Sequence, residues 1–461
     1  GFNYKPFDDE NGSLQIRGGT GLFTGTPPYV WISNQAGNNG VLFGDLNVRA
    51  VKDKNDNIIS DGRPSLGFTG NMDTYKPAEG SATRSDIAIT DPDFKYPSLW
   101  KSNIAADYKF GDGWVATVEL LYSKDINAIY HDNIGLYRTE QFVNDGGAGN
   151  ARPYYNGYYS DREGNQKAAN HVVMLRNTSK GHSLYTTFQL QKNFVDGILK
   201  GLYLNGSYSF GQSRGVTDGT SSVATSAWKY RAALDGNAEE VGYTAGSFDG
   251  RLLLSASYTA NWSKYAATSF GLIYQRYRPF RYSYCYNGDA NGDSQFSNDL
   301  MYIPANFDEV KDHLLPGDFD SQEDAWKAMN AFIEQDPYLS KHRGEYAERN
   351  GAVAPFANQL DLSVSHDIKI YQKNGRSHTL RFSFNIANFL NLLNRNWGVV
   401  QTTVLGNQQY QFLTIPKGQG PSAANNYTLK YTMAKDLDET FKDNLNDVSR
   451  WQMQFGIKYI F

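Results

Sequence analysis

The feature that most constrains the fold is a strict alternation of apolar and polar residues in long runs. In the final run, 451–461, the polar side is formed by Gln452, Gln454, Gly456 and Lys458. The apolar side is formed by Trp451, Met453, Phe455, Ile457, Tyr459 and Phe461. Because successive side chains of a strand point to opposite faces, this period of two predicts a β-strand with one apolar side.

Similar runs recur along the chain, for example from Trp114, Leu184 and Leu380. They predict about ten to fourteen strands, several longer than the roughly 10 residues that cross a bilayer as a tilted strand. The predicted strands are 14–24, 98–110, 114–130, 171–194, 199–212, 247–262, 266–286, 357–371, 377–390, 398–414, 426–434 and 449–461. The fold class is therefore all-β.

The connectors between these runs alternate in length. Short turns rich in Gly, Asp and Asn lie at 111–113, 196–197 and 373–376, and the last contains Asn-Gly, a strong hairpin signal. Long polar connectors lie at 138–170, 214–246 and 287–356. Outer-membrane barrels have short periplasmic turns and long extracellular loops, so the alternation favours an antiparallel transmembrane β-barrel over a soluble β fold.

Composition agrees with a barrel and excludes other classes. Hydrophobic residues make up 40% of the chain, and no run of about 18 apolar residues predicts a membrane helix. Aromatic residues reach 14%, with 32 Tyr and 26 Phe, and aromatic rings favour membrane interfaces. The net charge of -4 gives no reason to expect a nucleic-acid partner. The single cysteine, Cys285, is expected to be an inert thiol.

One helix is predicted inside the longest connector. Ser321 is its expected N-cap, with Asp324 at the capping-box position, and Pro337 marks its end. Its apolar face would be formed by Ala325, Met329, Phe332 and Ile333. We expect a structured loop helix here, not a membrane span.

Several segments, in this order along the chain, are similar to one family. They are IRGGTGLFTG at 16–25, PPYVWISNQ at 27–35, SNDLMYIP at 297–304, QDPYL at 335–339, the stretch 343–351, NFLNLLN at 388–394 and WG at 397–398. Together they resemble the Oar-like TonB-dependent outer-membrane receptors of Bacteroidetes-type bacteria. The resemblance covers most of the chain.

The resemblance implies a 22-stranded barrel in the outer membrane, occluded by an amino-terminal plug, that binds and imports a nutrient ligand. Energy would arrive through TonB, which pulls a segment ahead of the plug. No plug, TonB box, small amino-terminal sandwich or signal peptide is recognised in the sequence. We therefore expect residues 1–461 to be the carboxy-terminal part of such a barrel, with outer-membrane lipid around it and TonB reached through the plug region.

A candidate metal site lies in a Gly-rich stretch of the longest connector. Asp289, Asn291 and Asp293 form a D-x-N-x-D run that could supply three oxygen ligands to Ca²⁺. The fit to an EF-hand loop is poor, because Ser294 stands where Gly belongs and Leu300 where the bidentate Glu belongs. The alternative is an Asx-rich turn without metal. No other cofactor is expected.

A candidate ligand site combines Arg276, Arg278 and Arg281 with Tyr277. Arginine and tyrosine at the mouth of a barrel could hold an anionic or aromatic ligand through bidentate and stacking contacts. The alternative is an interfacial aromatic girdle in which the cations extend toward water.

No enzyme is predicted, because neither an H-E-x-x-H run nor a G-x-S-x-G elbow occurs. The histidines at 131, 171, 182, 313, 342, 366 and 378 are scattered, and we expect them to be solvated. Two rival classes remain: a secreted soluble β-rich binding or adhesion protein, and an outer-membrane enzyme. Both weaken if the apolar strand faces point outward in one continuous band.

Overall fold

The computed structural model describes residues 1–39, 70–71, 73–74, 86–143, 152–158, 171–219, 221–371, 377–405, 409–421, 427–432 and 439–461. In chain order the strands are β1 Phe2–Asp9, β2 Gly12–Thr24, β3 Ile87–Thr90, β4 Ser98–Phe110, β5 Trp114–Asp125, β6 Ala128–Asn133, β7 Leu136–Val143, β8 Arg152–Tyr158, β9 Val172–Thr178, β10 Gly181–Asn193, β11 Leu202–Gly215, β12 Gly242–Tyr243, β13 Arg251–Ser263, β14 Ala266–Tyr277, β15 Arg281–Tyr284, β16 Tyr302–Ile303, β17 Leu314–Leu315, β18 Glu345–Tyr346, β19 Ala352–Val353, β20 Ala357–Tyr371, β21 Ser377–Ala387, β22 Gln401–Thr403, β23 Gln409–Tyr410, β24 Leu413–Thr414, β25 Leu429–Tyr431, β26 Phe441–Asp443 and β27 Gln452–Ile460. The helices are α1 Tyr29–Gly37, α2 Ala224–Lys229, α3 Gln322–Gln335 and α4 Phe389–Leu393, with 3-10 turns at Phe307–Glu309, Leu339–Lys341 and Asp447–Ser449.

Eleven long strands form one antiparallel sheet in the order β1-β2-β4-β5-β10-β11-β13-β14-β20-β21-β27, and the short β12 pairs beside β11. The all-β, antiparallel prediction is confirmed in this form. Among the described residues β1 and β27 each pair with one neighbour only, so the sheet as described is open.

Short and long connections lie at opposite ends of the strands of this sheet. Because each strand runs antiparallel to its neighbours, turns such as 10–11, 111–113 and 264–265 all fall at the same end. The hairpin at 111–113 uses Gly111 and Gly113 at φ +52° and +84°, a region that side chains with a Cβ rarely adopt. The connections 25–97, 126–180, 216–250, 278–356 and 388–451 leave and rejoin the sheet at the other end of the strands. We call their described residues the loop layer. The turn predicted at 373–376 lies outside the described residues.

One face of the sheet is apolar and exposed. Val118, Phe188 and Tyr208 are direct cross-strand neighbours on β5, β10 and β11. Their exposures are 43%, 46% and 45%, which is high for large apolar side chains in a regular sheet. The same face continues to the last strand, where Phe455 and Ile457 are 66% and 63% exposed. The apolar sides of these strands therefore do not form a core between two sheets.

The opposite face is polar and internally hydrogen-bonded. Arg17 Nε donates to Asp107 at 2.9 Å, and Thr117 Oγ1 donates to the same carboxylate at 2.7 Å. At the other end of the sheet, Arg381 donates to both oxygens of Asp367 at 2.6 and 2.8 Å. Such cross-strand pairs stabilise the register of an antiparallel sheet.

The loop layer has a hydrophobic core of its own. Its fully buried members come from every long connection after residue 278, and include Tyr284, Met301, Phe332, Tyr410, Phe412 and Tyr427. The connector 287–356 was predicted to be a long polar connector with one structured helix, and it also contributes buried apolar residues such as Met301 and Leu339 to this core. Short strands such as β15, β19 and β23 pair with one another there, which satisfies the backbone groups that the core buries.

Several strand predictions need correction, among them 114–130, whose last residues belong to β6 in a different sheet, and one strand was missed. The run 171–194 is two strands, β9 and β10, which lie in different sheets, and 266–286 breaks between β14 and β15 at Pro279, which lacks an N–H. The run 398–414 contains three short strands, each paired within the loop layer, in place of one long strand. Strand β1 was missed because an irregularity between Tyr4 and Phe7 breaks its period of two.

The predicted loop helix is confirmed as α3. Ser321 is its N-cap and accepts a hydrogen bond from the Asp324 backbone N–H at 3.0 Å. The predicted apolar residues are all buried: Ala325, Met329, Phe332 and Ile333. None of the helices in the described ranges combines the length and apolar character needed to span a bilayer.

Candidate functional site

The sheet separates Tyr277 from the arginines of the predicted ligand site, whereas Arg276 and Arg278 both lie over the Phe356 ring, at 4.5 and 4.1 Å. Arg276 is the cross-strand partner of Leu252, which places it on the apolar face beside the loop layer, where it lies 4.5 Å from the Phe356 ring. Tyr277 follows it on β14 and points to the polar face, where its hydroxyl donates to Gln359 at 3.1 Å. Adjacent residues of a strand cannot converge on one ligand, because their side chains leave on opposite sides.

Arg278 and Arg281 have partners within the fold. Both contact Asp249, at 3.2 and 3.7 Å respectively. Arg281 is buried, donates to the Ser247 carbonyl at 2.7 Å, and lies 4.3 Å from the Tyr243 ring. These contacts join the residues just after β14 to the connection 216–250. The use of these residues for ligand binding stays a prediction.

The predicted calcium run forms a tight turn. Asp289 accepts backbone N–H groups from Asn291, Gly292 and Ser294, at 3.1, 2.6 and 2.8 Å. Asn291 Oδ1 accepts from the Asp293 N–H at 2.9 Å. The side-chain oxygens of Asp289 and Asn291 therefore accept hydrogen bonds from backbone N–H groups of the same turn. Burial, and next the charges of Asp299 and Asp289, raise the pKa of Asp293 well above its usual value.

This geometry is that of the Asx-rich turn. Within the described ranges, no group of three His, Cys, Asp or Glu side chains is arranged to hold a metal ion. The turn is fixed against β8, because the Tyr155 N–H donates to the Asn291 carbonyl at 2.7 Å. A calcium ion stays a prediction, and the oxygens that would hold it already have N–H partners.

A buried ion pair lies beside this turn. Arg152 is fully buried and contacts Asp299 at 3.2 Å, and the second oxygen of Asp299 accepts the Ala290 N–H at 2.8 Å. The Arg152 guanidinium also lies 5.4 Å from the Tyr346 ring. This arrangement joins β8 to the connection after β14.

Two histidines correct the expectation that all are solvated. His131 and His171 are only 3% and 7% exposed. His171 Nδ1 lies 2.6 Å from Asp86, whereas Nε2 of His131 has no hydrogen-bond partner. Burial, and next the charge of Arg231, lowers the pKa of His131 to about 4, so the ring is neutral in the folded protein at neutral pH.

Sequence reasoning missed two buried arginines, Arg231 and Arg349, which line a cavity of about 320 Å³ in the loop layer. Burial, and next the charge of Arg349, lowers the pKa of Arg231 to about 10. Burial likewise lowers the pKa of Arg349. The two lie 118 residues apart in the chain (349 − 231), so no local pattern could have brought them together.

Comparison with models of known protein families finds no match, and comparison with curated proteins finds none either. The resemblance to TonB-dependent receptors therefore remains an expectation from sequence motifs.

Proposed function

We propose that this chain contributes strands to an outer-membrane β-barrel of the TonB-dependent receptor class, which binds a nutrient and imports it. The observation that carries the proposal is the wide sheet with one exposed apolar face. In water such a face is costly, since each large apolar side chain that stays exposed forgoes about 1.5–3 kcal/mol of burial. Lipid around that face removes the cost.

The position of aromatic residues supports this environment. Tyr108, Phe110 and Trp114 stack beside the short turns, with ring centroids 5.2 and 6.3 Å apart. Toward the loop layer, Tyr208 and Phe210 lie 5.8 Å apart on the same apolar face. Aromatic rings at both ends of an apolar band are typical of strands that cross two membrane interfaces.

The opposite face supports a polar lumen. Gln189 donates to Asn205 at 2.8 Å, and Thr187 and Ser209 share a hydrogen bond of 2.8 Å between neighbouring strands. An interior of this kind is expected in barrels that conduct polar substrates. The loop layer, which lies at one end of the strands, would then be the extracellular surface that binds the nutrient. Closure of the barrel and coupling to TonB belong to the proposal, and the second rests on the resemblance alone.

Paired substitutions on β10 test the proposal. The chain would be expressed with a signal peptide and assayed for a heat-modifiable, sarkosyl-insoluble band in the outer-membrane fraction. Phe188→Arg puts a charge on the apolar face, where a central lipid-facing arginine costs about 2–4 kcal/mol. Thr187→Arg puts the same charge on the polar face, across from Glu119.

We expect Phe188→Arg to deplete the membrane-inserted species and Thr187→Arg to retain it. Equal effects of the two variants would contradict a lipid-facing side. A chain that stays soluble, folded and monomeric without detergent would instead favour a secreted β-rich binding or adhesion protein.

A further inference from the structure

The cavity at Arg231 and Arg349 lies in the loop layer, next to the end of β11. Arg231 follows the short helix α2, and Arg349 follows β18. Tyr230, Asn350 and Gln409 also form part of the wall. A volume of about 320 Å³ is at the lower end of the size of small-ligand pockets.

The two guanidinium groups are held rigidly by backbone carbonyls. Both donate to the carbonyl of Val216, and Arg231 also donates to the Ala238 carbonyl at 3.1 Å. Arg349 donates in addition to the Gly215 carbonyl. The Nε atom of each arginine is buried and has no hydrogen-bond partner. Each guanidinium therefore has one N–H donor without a partner among the described residues, and this donor is itself buried.

Neither guanidinium forms an ion pair within the part of the chain that is described, although both are at most 5% exposed. One carboxylate, Asp218, lines the same cavity and its charge acts on Arg349, whereas Glu348 and Glu240 are engaged elsewhere. Glu348 pairs with Arg214 at 2.6 Å, and Glu240 accepts the Leu234 N–H at 2.8 Å. Two buried positive charges face one carboxylate in this cavity and neither contacts it as an ion pair, so an additional anion would offset the remaining positive charge.

The wall also limits which anion fits. Asp218 lines the same cavity, and its two oxygens accept N–H groups from Ala245 and Asn350 at 2.8 and 3.1 Å. Each carboxylate oxygen retains a second lone pair for an N–H group of a ligand. Its negative charge disfavours a dianion such as phosphate and favours a ligand that has a donor near its negative group.

We propose that this cavity binds a carboxylate whose neighbouring carbon carries an N–H group, as in a free amino acid or the carboxy-terminal residue of a peptide. Arg231 and Arg349 face the carboxylate, and Asp218 accepts from the nitrogen. The site is formed by the loop layer alone, so it does not depend on whether the sheet lies in a membrane.

Calorimetric titration of the full chain, in detergent micelles, tests the site with four probes: trialanine, trialanine amide, L-alanine and inorganic phosphate. We expect trialanine to bind, and its amide to bind at least about tenfold more weakly, because the amide lacks the carboxylate. L-Alanine binding as tightly as trialanine would identify a free amino acid as the ligand, and weaker binding of L-alanine would identify a peptide terminus. Phosphate binding as tightly as trialanine would overturn the assignment.

Variants locate the binding. Ala245 is exposed and lines the cavity, so Ala245→Phe fills the space without removing a charge, and Ala245→Ser is its matched control. We expect the Phe variant to lose trialanine binding and the Ser variant to keep it, both with unchanged melting temperature. Arg349→Gln should weaken trialanine binding about tenfold or more where the variant still folds. No carboxylate-dependent binding by the wild type in the millimolar range, or full binding by Ala245→Phe, would overturn the proposal.

Discussion

Removal of the Asp336 carboxylate should destabilise the loop layer severely. Asp336 is fully buried at the end of α3. One oxygen accepts the backbone N–H groups of Tyr338 and Leu339 at 2.9 and 2.8 Å. The other accepts the hydroxyls of Tyr284 and Thr440 at 2.6 and 2.7 Å. Three separate segments therefore depend on this one side chain.

The magnitude follows from these four donors. A hydrogen bond to a charged group contributes about 1.5–3 kcal/mol, and a buried donor left without a partner costs about 1–3 kcal/mol. Tyr284 keeps a hydroxyl contact to Tyr282 at 3.3 Å, which reduces its share. For Asp336→Ala we expect about 3–5 kcal/mol of lost stability, in the range seen when a buried polar network is broken. Asp336→Asn should lose about 1–3 kcal/mol, since the amide keeps one acceptor oxygen.

A double-mutant cycle of Asp336→Ala with Thr440→Val tests this prediction. Denaturant unfolding of the wild type, both single variants and the double variant gives the coupling energy between Asp336 and Thr440. We expect a coupling of about 1–2 kcal/mol, because the two groups share one hydrogen bond and are in contact. Additive effects within about 0.3–0.5 kcal/mol, or a loss below about 1 kcal/mol for Asp336→Ala, would refute the argument.

Three further outcomes are expected. The free energy of unfolding should fall as the pH drops from 6.5 toward 4, because His131 takes up a proton in the unfolded state but stays neutral when it is buried in the folded state. This one group should account for about 3 kcal/mol of the loss. His131→Leu should flatten the dependence of stability on pH, whereas His342→Gln should not. Gly292→Ala should cost about 2–4 kcal/mol in denaturant unfolding, since φ is +82° and a Cβ would lie 2.1 Å from the Tyr155 carbonyl oxygen. Asp289→Ala should cost about 1–3 kcal/mol through lost turn hydrogen bonds. If the turn needs no metal, the wild type melts at the same temperature in Ca²⁺ and in chelator, whereas a calcium-dependent rise that Asp289→Ala abolishes would support the calcium prediction.

The sheet could be predicted from the sequence because its determinants are local. A period of two is visible in any single strand, and the cross-strand neighbours Val118 and Phe188 each belong to a run that shows it. Helix α3 was recognisable for the same reason, since Ser321 and Pro337 lie at its two ends. Strand β1 was not, because its irregular pairing hides the period.

The cavity could not be predicted, because its determinants are tertiary. Arg231 follows Tyr230 and Arg349 follows Glu348, and neither position has a sequence pattern that predicts burial. Their shared contact with the Val216 carbonyl arises only when the long connections pack together. The same limit applies to Arg276 and Tyr277. Proximity in sequence suggested one ligand site, whereas the alternation of a strand assigns them to opposite faces.

The sheet exposes its large apolar side chains, whereas the loop layer buries them in a core of its own, and this difference can be tested. The sheet leaves large residues such as Phe455 exposed, and an exposed apolar patch of this kind promotes aggregation in water. The loop layer buries its apolar residues internally, with Phe332 and Tyr410 almost inaccessible. A detergent that covers the sheet should therefore leave the loop layer folded. If so, the binding that we propose at Arg231 and Arg349 should persist in micelles, and it can be measured there independently of the proposed transport.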